Sequence, residues 1–183
     1  MKCEFVKILG SWRDVADCAN TTIGLEDGTK EPSSSWKKRM LLAEHSPIRN
    51  IWLNFKWLNL KYWVSVHFVR HKIGVEHFVK TQRTDRTGND RDKLPQDSLV
   101  THRISINIQS IINISKKRLC KNASIETQEA WKELLETIRV KEPELFSVCV
   151  PECVYRGKCY DFISCGYDKT KEYHNRLIEY GTI

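Results

Sequence analysis

The sequence lacks any apolar run of membrane-spanning length, and it contains no internal repeat and no low-complexity segment. A transmembrane helix needs about 20 consecutive apolar residues, so we expect no membrane span. No long apolar core follows Met1–Phe5, and we therefore expect no signal peptide and a soluble, cytoplasmic protein. The chain also lacks a Cys-x-x-Cys pair, a spacing that is common in structural zinc sites.

What the chain does contain is sufficient for one folded domain with a basic surface. Its 183 residues can bury a proper core, and the 40% hydrophobic and 10% aromatic content argues against disorder. Lysine and arginine outnumber aspartate and glutamate, which gives a net charge of +7. A basic chain favours anionic ligands or partners such as nucleotides, nucleic acids or acidic surfaces.

The spacing of apolar residues predicts an α+β fold, with helices packed on a small, mostly antiparallel sheet. Strands are predicted from alternation at 3–9 and 49–57, and helices from helical spacing at 36–43, 60–71, 104–119 and 125–139. The charged residues 80–97 are expected to form an ordered loop or a mobile lid. The Cys-rich C-terminal segment is expected to be mostly loop.

The stretch Val69–Phe78 concentrates positive charge. Arg70, His71 and Lys72 stand next to one another, directly after an apolar and aromatic run. Burying such a cluster without a counter-charge is costly, so one interpretation is a bound phosphate, which Arg grips as a planar fork and Lys as a point charge. The other interpretation is a helix C-terminus whose cations face water and are favoured by the helix dipole. These residues alone leave both interpretations open.

Several short motifs follow one another in a recognisable order. Glu44–Pro47 reads Glu-His-Ser-Pro and leads into the first long strand, and Arg70–Lys72 ends the next helix. Downstream lie an Arg-x-x-Leu-Pro segment at 91–95 and an Asn-x-Gln-Ser sequence at 107–110, with Arg118 eleven residues after the Asn. In order and spacing, these motifs resemble the flavin-dependent thymidylate synthases, the ThyX family, over roughly residues 15–140.

This resemblance implies a flavoenzyme with FAD that transfers a one-carbon unit to a pyrimidine deoxynucleotide such as dUMP, using methylene-tetrahydrofolate and NADPH. It also implies an α+β fold and a homotetramer with active sites at subunit contacts. Arg118 and His71 are the expected catalytic residues, because a cation beside the pyrimidine stabilises negative charge that develops on the ring. The expected ligand contacts are Arg70, His71, Lys72, Glu76, Asn107 and Gln109 for FAD, and Gln82, Arg83, Arg91 and Arg118 for the nucleotide.

Some positions depart from the family pattern. A family Ser is replaced by Lys80, a family Arg-Tyr pair by Gln82-Arg83, and a family Glu by Phe78, with Glu76 two residues earlier as a substitute. The segment between the cationic stretch and Arg91 is also shorter than in the family. These differences leave two alternatives: a variant reaction such as hydroxymethylation, or a nucleotide- or nucleic-acid-binding protein without synthase turnover.

The seven cysteines are better explained as reduced thiols or metal ligands than as a disulfide framework in an intracellular chain. Four of them, Cys149, Cys153, Cys159 and Cys165, could hold zinc or an iron–sulfur cluster, with Cys120 as an alternative ligand. Independent thiols are the other interpretation. We therefore expect a ThyX-like flavin- and nucleotide-binding domain at 1–145 and a Cys-rich segment at 146–183.

Overall fold

The centre of the molecule is a four-stranded antiparallel sheet. The computed structural model describes all 183 residues. The strands are β1 (Lys2–Leu9), β2 (Trp52–Lys61), β3 (Val75–Val79) and β4 (Leu99–Asn107), and their order across the sheet is β1-β2-β4-β3. With helices packed on this sheet, the predicted α+β fold is confirmed.

Nine α-helices surround the sheet, and none of them is both long and apolar enough to cross a membrane. They are α1 (Trp12–Thr22), α2 (Ser34–Leu42), α3 (Tyr62–Val69), α4 (Thr84–Thr87), α5 (Ile108–Arg118), α6 (Ile125–Lys141), α7 (Pro143–Val148), α8 (Glu152–Tyr155) and α9 (Lys171–Gly181).

The main core lies between one face of the sheet and helices α3, α5 and α6. Phe55 and Trp57 on β2 and Ile104 on β4 are fully buried, as alternation along a half-covered strand requires. Trp57 stacks on Phe68 of α3 with 4.9 Å between ring centroids, and its indole N–H donates to the carbonyl of Ala130 on α6 at 3.0 Å. The core therefore fixes α3 and α6 relative to the central strands.

The predicted helix at 104–119 is wrong in its first part, because the segment up to Asn107 belongs to strand β4. Val100, His102, Ile104 and Ile106 are buried on alternate positions, which is the period of a strand. The helix begins only after Asn107, whose side-chain oxygen accepts from the backbone N–H of Ser110 at 2.9 Å. The spacing of the isoleucines hides this boundary, since it continues from the strand into the helix.

Helix α5 is buried on almost every side, and two of its buried polar residues, Ser115 and Lys116, have partners within the core. Ser115 accepts from the indole N–H of Trp131 at 2.9 Å. Lys116 forms an ion pair with Glu44, in which the two side chains are 10% and 20% exposed. Burial raises the pKa of Glu44, but hydrogen bonds from Lys116, Tyr155 and Gln109 outweigh it and leave that pKa below its usual value.

The C-terminal segment contains more helix than the expected loop. Helices α7, α8 and α9 occupy much of it, and Val150, Val154, Tyr167 and Tyr173 bury one another in a small second core. A short helix carries too little periodicity to stand out in a segment that is rich in cysteine, glycine and aromatic residues.

Candidate functional site

The five residues Arg70–Gly74, here called the cationic loop, connect α3 to β3 and lie against the start of α5. Gly74 has a φ of +66°, and a Cβ at this position would lie 2.4 Å from Nδ2 of Asn107 and from Oγ of Ser110. The backbone N–H of Asn107 donates to the carbonyl of Gly74 at 3.0 Å, and the hydroxyl of Ser110 donates to the carbonyl of Ile73 at 2.7 Å. Only glycine permits this close approach.

The other end of α5 also contacts the cationic loop. The Nε–H of Arg118 donates to Nε2 of His71 at 3.0 Å, and its Nη2 donates to the backbone carbonyl of His67 at 2.7 Å. One helix thus holds the loop at both ends, with Asn107 at its start and Arg118 in its last turn. The structure thereby brings together two predicted catalytic residues that are 47 positions apart in the sequence.

Positive charge at this site has no acidic counterpart. None of the ion pairs in the structure involves Arg70, Lys72 or Arg118. Burial, with the nearby charge of Arg70, lowers the pKa of Arg118. Burial also lowers the pKa of His71 to about 4, with further contributions from Arg118, His77 and Arg70, so that His71 is neutral near pH 7. The arrangement is suited to an anion, which would offset the unpaired charge.

A cleft of about 370 Å³ opens beside the cationic loop, within the usual size range of ligand sites. It is lined by Arg70, His71, Lys72, Ile73, Ser110, Asn113 and Ile114. Three of the predicted cofactor-binding residues therefore share one cavity. Asn107 does not line the cleft but holds the loop in place through the carbonyl of Gly74.

Gln109, another predicted cofactor-binding residue, is buried and does not line this cleft. Its Nε2 donates to Glu44 at 2.5 Å, while its Oε1 is buried without a hydrogen-bond partner. Glu44 itself adopts a φ of +47°. The Glu-His-Ser-Pro motif thus supplies the carboxylate that orients α5, a role that sequence reasoning missed.

The remaining predicted residues lie apart from the cleft. Arg83 is exposed and pairs with Asp85 at 2.8 Å, and Arg91 is exposed beside Asp92 at 4.0 Å. Both arginines, with Gln82, belong to the segment between β3 and β4, which contains only α4 and a 3₁₀ turn at Arg91–Lys93. The structure does not bring Arg91 into the cleft with Arg70. Its role in binding a nucleotide stays a prediction.

Glu76 also lies outside the cleft. It is exposed on β3, and its charge acts on the neighbouring His77 by raising that residue's pKa, against the larger effect of burial, which lowers it. Its predicted contact with FAD is likewise still a prediction.

Two histidines near the site were not singled out by the sequence. His77 on β3 and His102 on β4 contact each other, with 3.0 Å between Nδ1 of His77 and Nε2 of His102. The Nε2 of His77 also lies 2.9 Å from the backbone carbonyl of His71. The alternation of buried residues along β4 was the available signal, because it places His102 on the inner face together with Ile104 and Ile106.

The predicted metal site of Cys149, Cys153, Cys159 and Cys165 is not formed in the structure. Cys149 belongs to the main core, where burial raises the pKa of its thiol to about 12, whereas the other three line a cavity of about 60 Å³ together with Cys120. No group of three or more His, Cys, Asp or Glu side chains is arranged to hold a metal ion. The cysteine spacing was misleading because it counts a core residue as a ligand.

Comparison of this fold with solved structures finds many similar architectures, among them two ThyX structures and a UMP/dUMP methylase. The FAD and dUMP complex of ThyX from Helicobacter pylori matches with a TM-score of 0.66 and 15% identity, covering 82% of this chain and 100% of that one. A second structure of Helicobacter pylori ThyX with FAD and dUMP gives 0.67 and 14%, covering 82% and 99%. The UMP/dUMP methylase PolB from Streptomyces cacaoi, bound with 5-Br dUMP, gives 0.64 and 11%, covering 80% and 93%.

The chain has a ThyX-like fold. No family model and no curated protein sequence matches it, and identities of 11–15% establish a shared architecture rather than membership of a family. The part of the chain that is superposed nevertheless covers the full length or nearly the full length of the ThyX structures. This chain therefore shares its fold with a thymidylate synthase and a UMP/dUMP methylase.

Proposed function

We propose that the protein is an FAD-dependent enzyme that transfers a one-carbon unit to a pyrimidine deoxynucleotide, with dUMP as the first candidate. The observation that carries the proposal is a cleft lined by the cationic loop, whose His71 is hydrogen-bonded to Arg118, on a ThyX-like fold. The three similar structures were solved with dUMP or its 5-bromo analogue, two of them with FAD. The match in fold and the unpaired positive charge support the same class of ligand independently.

The residues at the cleft fit the phosphates of a dinucleotide cofactor. Arg70 and Lys72 are exposed cations without acidic partners, and Gly74 allows the loop backbone to lie directly on α5. We assign Arg70, His71 and Lys72 to the binding of FAD, with Asn107 holding the loop in its binding conformation. When bound, FAD supplies the redox chemistry of the reaction, and the protein contributes position and charge.

Arg118 is the residue to which we assign the nucleotide. Its guanidinium is half-buried and fixed by two hydrogen bonds, so it is oriented before any ligand arrives. A preorganised cation of this kind stabilises negative charge that develops on a pyrimidine carbonyl in the transition state.

The proposal also includes the co-substrates and the assembly: methylene-tetrahydrofolate as the one-carbon donor, NADPH as the reductant, and a tetramer. In a tetramer, Gln82, Arg83 and Arg91 would serve the cleft of another subunit.

The first test is to purify the protein under mild conditions and record its visible absorbance before and after addition of FAD. The second is the release of tritium from dUMP labelled at carbon 5, with methylene-tetrahydrofolate, NADPH and FAD present. We expect a yellow protein and time-dependent release of tritium. A colourless protein that retains no flavin absorbance after incubation with FAD and removal of the unbound FAD would contradict the proposal.

The alternative is a nucleotide- or nucleic-acid-binding protein without turnover. It is favoured by the exposed cations of the segment between β3 and β4, among them Lys80, Arg86 and Lys93, which lie outside the cleft. Flavin-free protein whose binding to single-stranded DNA or RNA weakens steeply with salt would support this alternative.

We retain the division into a ThyX-like part at 1–145 and a Cys-rich segment at 146–183 as a proposal.

A further inference from the structure

A chain of hydrogen bonds runs from the core of the sheet to Arg118, and the partners in it fix the position of each proton. The carbonyl of His71 can only accept, so His77 must carry its proton on Nε2, which lies 2.9 Å from that oxygen. Its Nδ1 is then an acceptor, and His102 must donate to it from Nε2 at 3.0 Å. Nδ1 of His102 is then unprotonated and can only accept, and this atom is indeed buried without a hydrogen-bond partner.

The same reasoning fixes the proton of His71. The Nε–H of Arg118 can only donate, so Nε2 of His71 must be its acceptor, and the ring proton of His71 must lie on Nδ1. His71 is thus held twice, by its ring through Arg118 and by its carbonyl through His77. These two bonds are important because His71 lies in the connection between α3 and β3, which has no regular secondary structure of its own.

We infer that His77 and His102 are positioning residues, which hold His71 and through it set the orientation of Arg118. His102 is 0% exposed, and its ring packs 5.4 Å from that of Trp57, so the chain starts from a fixed point in the core. His77 transmits that position across the sheet to the backbone of the cationic loop. The inference adds to the proposed function, on which its nucleotide-binding readout rests, while the proton positions themselves can be measured without any ligand.

All three rings are neutral in this arrangement. Burial is the main reason, and it lowers the pKa of His102 to about 3 and that of His71 to about 4. The charged groups that face the chain are Arg70 and Arg118 near His71, and Glu76 near His77. A proton added to Nε2 of His71 would point at the guanidinium of Arg118 and break their hydrogen bond, so the network holds Arg118 only while His71 is neutral.

The first experiment records nitrogen-15 NMR spectra of the histidine side chains in the ligand-free protein at pH 7. We expect the Nε2–H tautomer for His77 and His102 and the Nδ1–H tautomer for His71, and a slowly exchanging Nε–H signal for Arg118. An Nδ1–H tautomer at His77 would overturn the inference, whatever the protein binds.

The second experiment compares His77→Phe with His77→Gln, because the Gln side chain offers both an N–H donor and an oxygen acceptor. We expect dUMP to bind on the order of 10-fold more weakly to the Phe variant, since a small displacement of a positioned group has effects of this size or larger. The Arg118 Nε–H signal should also lose its protection in that variant and regain it with Gln. His174→Gln, at an exposed position on α9, is the control.

The two sets of results separate the inference from the proposed function. If the wild-type protein binds neither FAD nor dUMP, the proposed function fails, while the tautomers and the Arg118 signal still decide the positioning role. A folded His77→Phe protein whose Arg118 signal and dUMP affinity equal those of the wild type would refute the positioning role.

Discussion

Arg118 donates from Nε to Nε2 of His71 across 3.0 Å, in a geometry that requires a neutral imidazole. The guanidinium of Arg118 and the neutral ring of His71 are therefore joined as donor and acceptor, rather than repelling each other as two positive charges would. This explains how Arg118 can be half-buried without an acidic partner, since its second contact is also to an uncharged acceptor, the carbonyl of His67.

Replacement of Arg118 by alanine should weaken nucleotide binding while leaving the fold intact. Charge-assisted hydrogen bonds contribute roughly 1.5–3 kcal/mol each, so we expect the affinity for dUMP to fall by about 10- to 100-fold. Isothermal titration calorimetry measures this directly. Lys132→Ala is the control, because Lys132 is an exposed cation on α6 and does not line the cleft. Equal affinities of the two variants would contradict the assignment.

Gly74→Ala should destabilise the protein far more than Gly88→Ala. Both glycines have positive φ, at +66° and +72°, so both substitutions carry the backbone strain of about 1 kcal/mol or more. Only at Gly74 would the new Cβ meet neighbouring atoms, at 2.4 Å, whereas nothing lies within 4 Å at Gly88. We expect a further loss of roughly 2 kcal/mol or more at Gly74. Urea denaturation followed by circular dichroism gives the difference.

The free energy of unfolding should fall as the pH is lowered from 7 to 5. Burial lowers the pKa of His102 to about 3 and that of His71 to about 4, below the value of 6.5 that applies to the unfolded chain. Between pH 7 and 5 these histidines become protonated in the unfolded state but stay neutral in the folded state. Each histidine whose pKa is lowered in this way therefore reduces the free energy of unfolding by roughly 2 kcal/mol at pH 5. The stability contributed by Glu44, whose pKa is lowered from 4.5, is lost only at lower pH.

Urea titrations at several pH values test this dependence. His102→Met should flatten the slope between pH 7 and 5 by close to one proton, while His45→Gln, at an exposed position, should leave it unchanged. A wild-type stability that is constant across this range would show that the two histidines are not buried as neutral rings.

Removal of either partner from the Glu44–Lys116 pair should be strongly destabilising. Lys116 is almost fully buried and its Nζ also lies 3.4 Å from the ring centroid of Tyr155, so Glu44→Gln or Lys116→Met leaves a charge uncompensated. Such single changes cost about 3–5 kcal/mol, whereas the double variant should cost less than the sum. The exposed pair Arg139–Glu136 is the control, with an expected cost below about 1 kcal/mol. Additive effects at Glu44 and Lys116 would mean that the pair is open in solution.

The spacing of apolar residues allowed the fold class to be predicted. The resemblance to the ThyX family implied that Arg118 and the cationic loop share a site, and the two are indeed in contact. The sequence did not allow the end of β4 to be placed, since the isoleucines continue across Asn107 without a break in hydrophobicity. Nor did it reveal Gly74 or His77, whose roles depend on contacts with α5 and with the backbone of His71. Residues that act through another chain segment leave no local pattern in the sequence.

The C-terminal segment contacts the same helix that carries Arg118. Tyr155 lies over Lys116, and Glu152 pairs with Lys117 at 3.1 Å, so two consecutive residues just before Arg118 are held by α8. A mutation or proteolytic cut after residue 148 would therefore disturb the position of Arg118, although the changed residues are far from Arg118 in the sequence. Among natural relatives, the tail and the last turn of α5 should consequently change together, each compensating for the other.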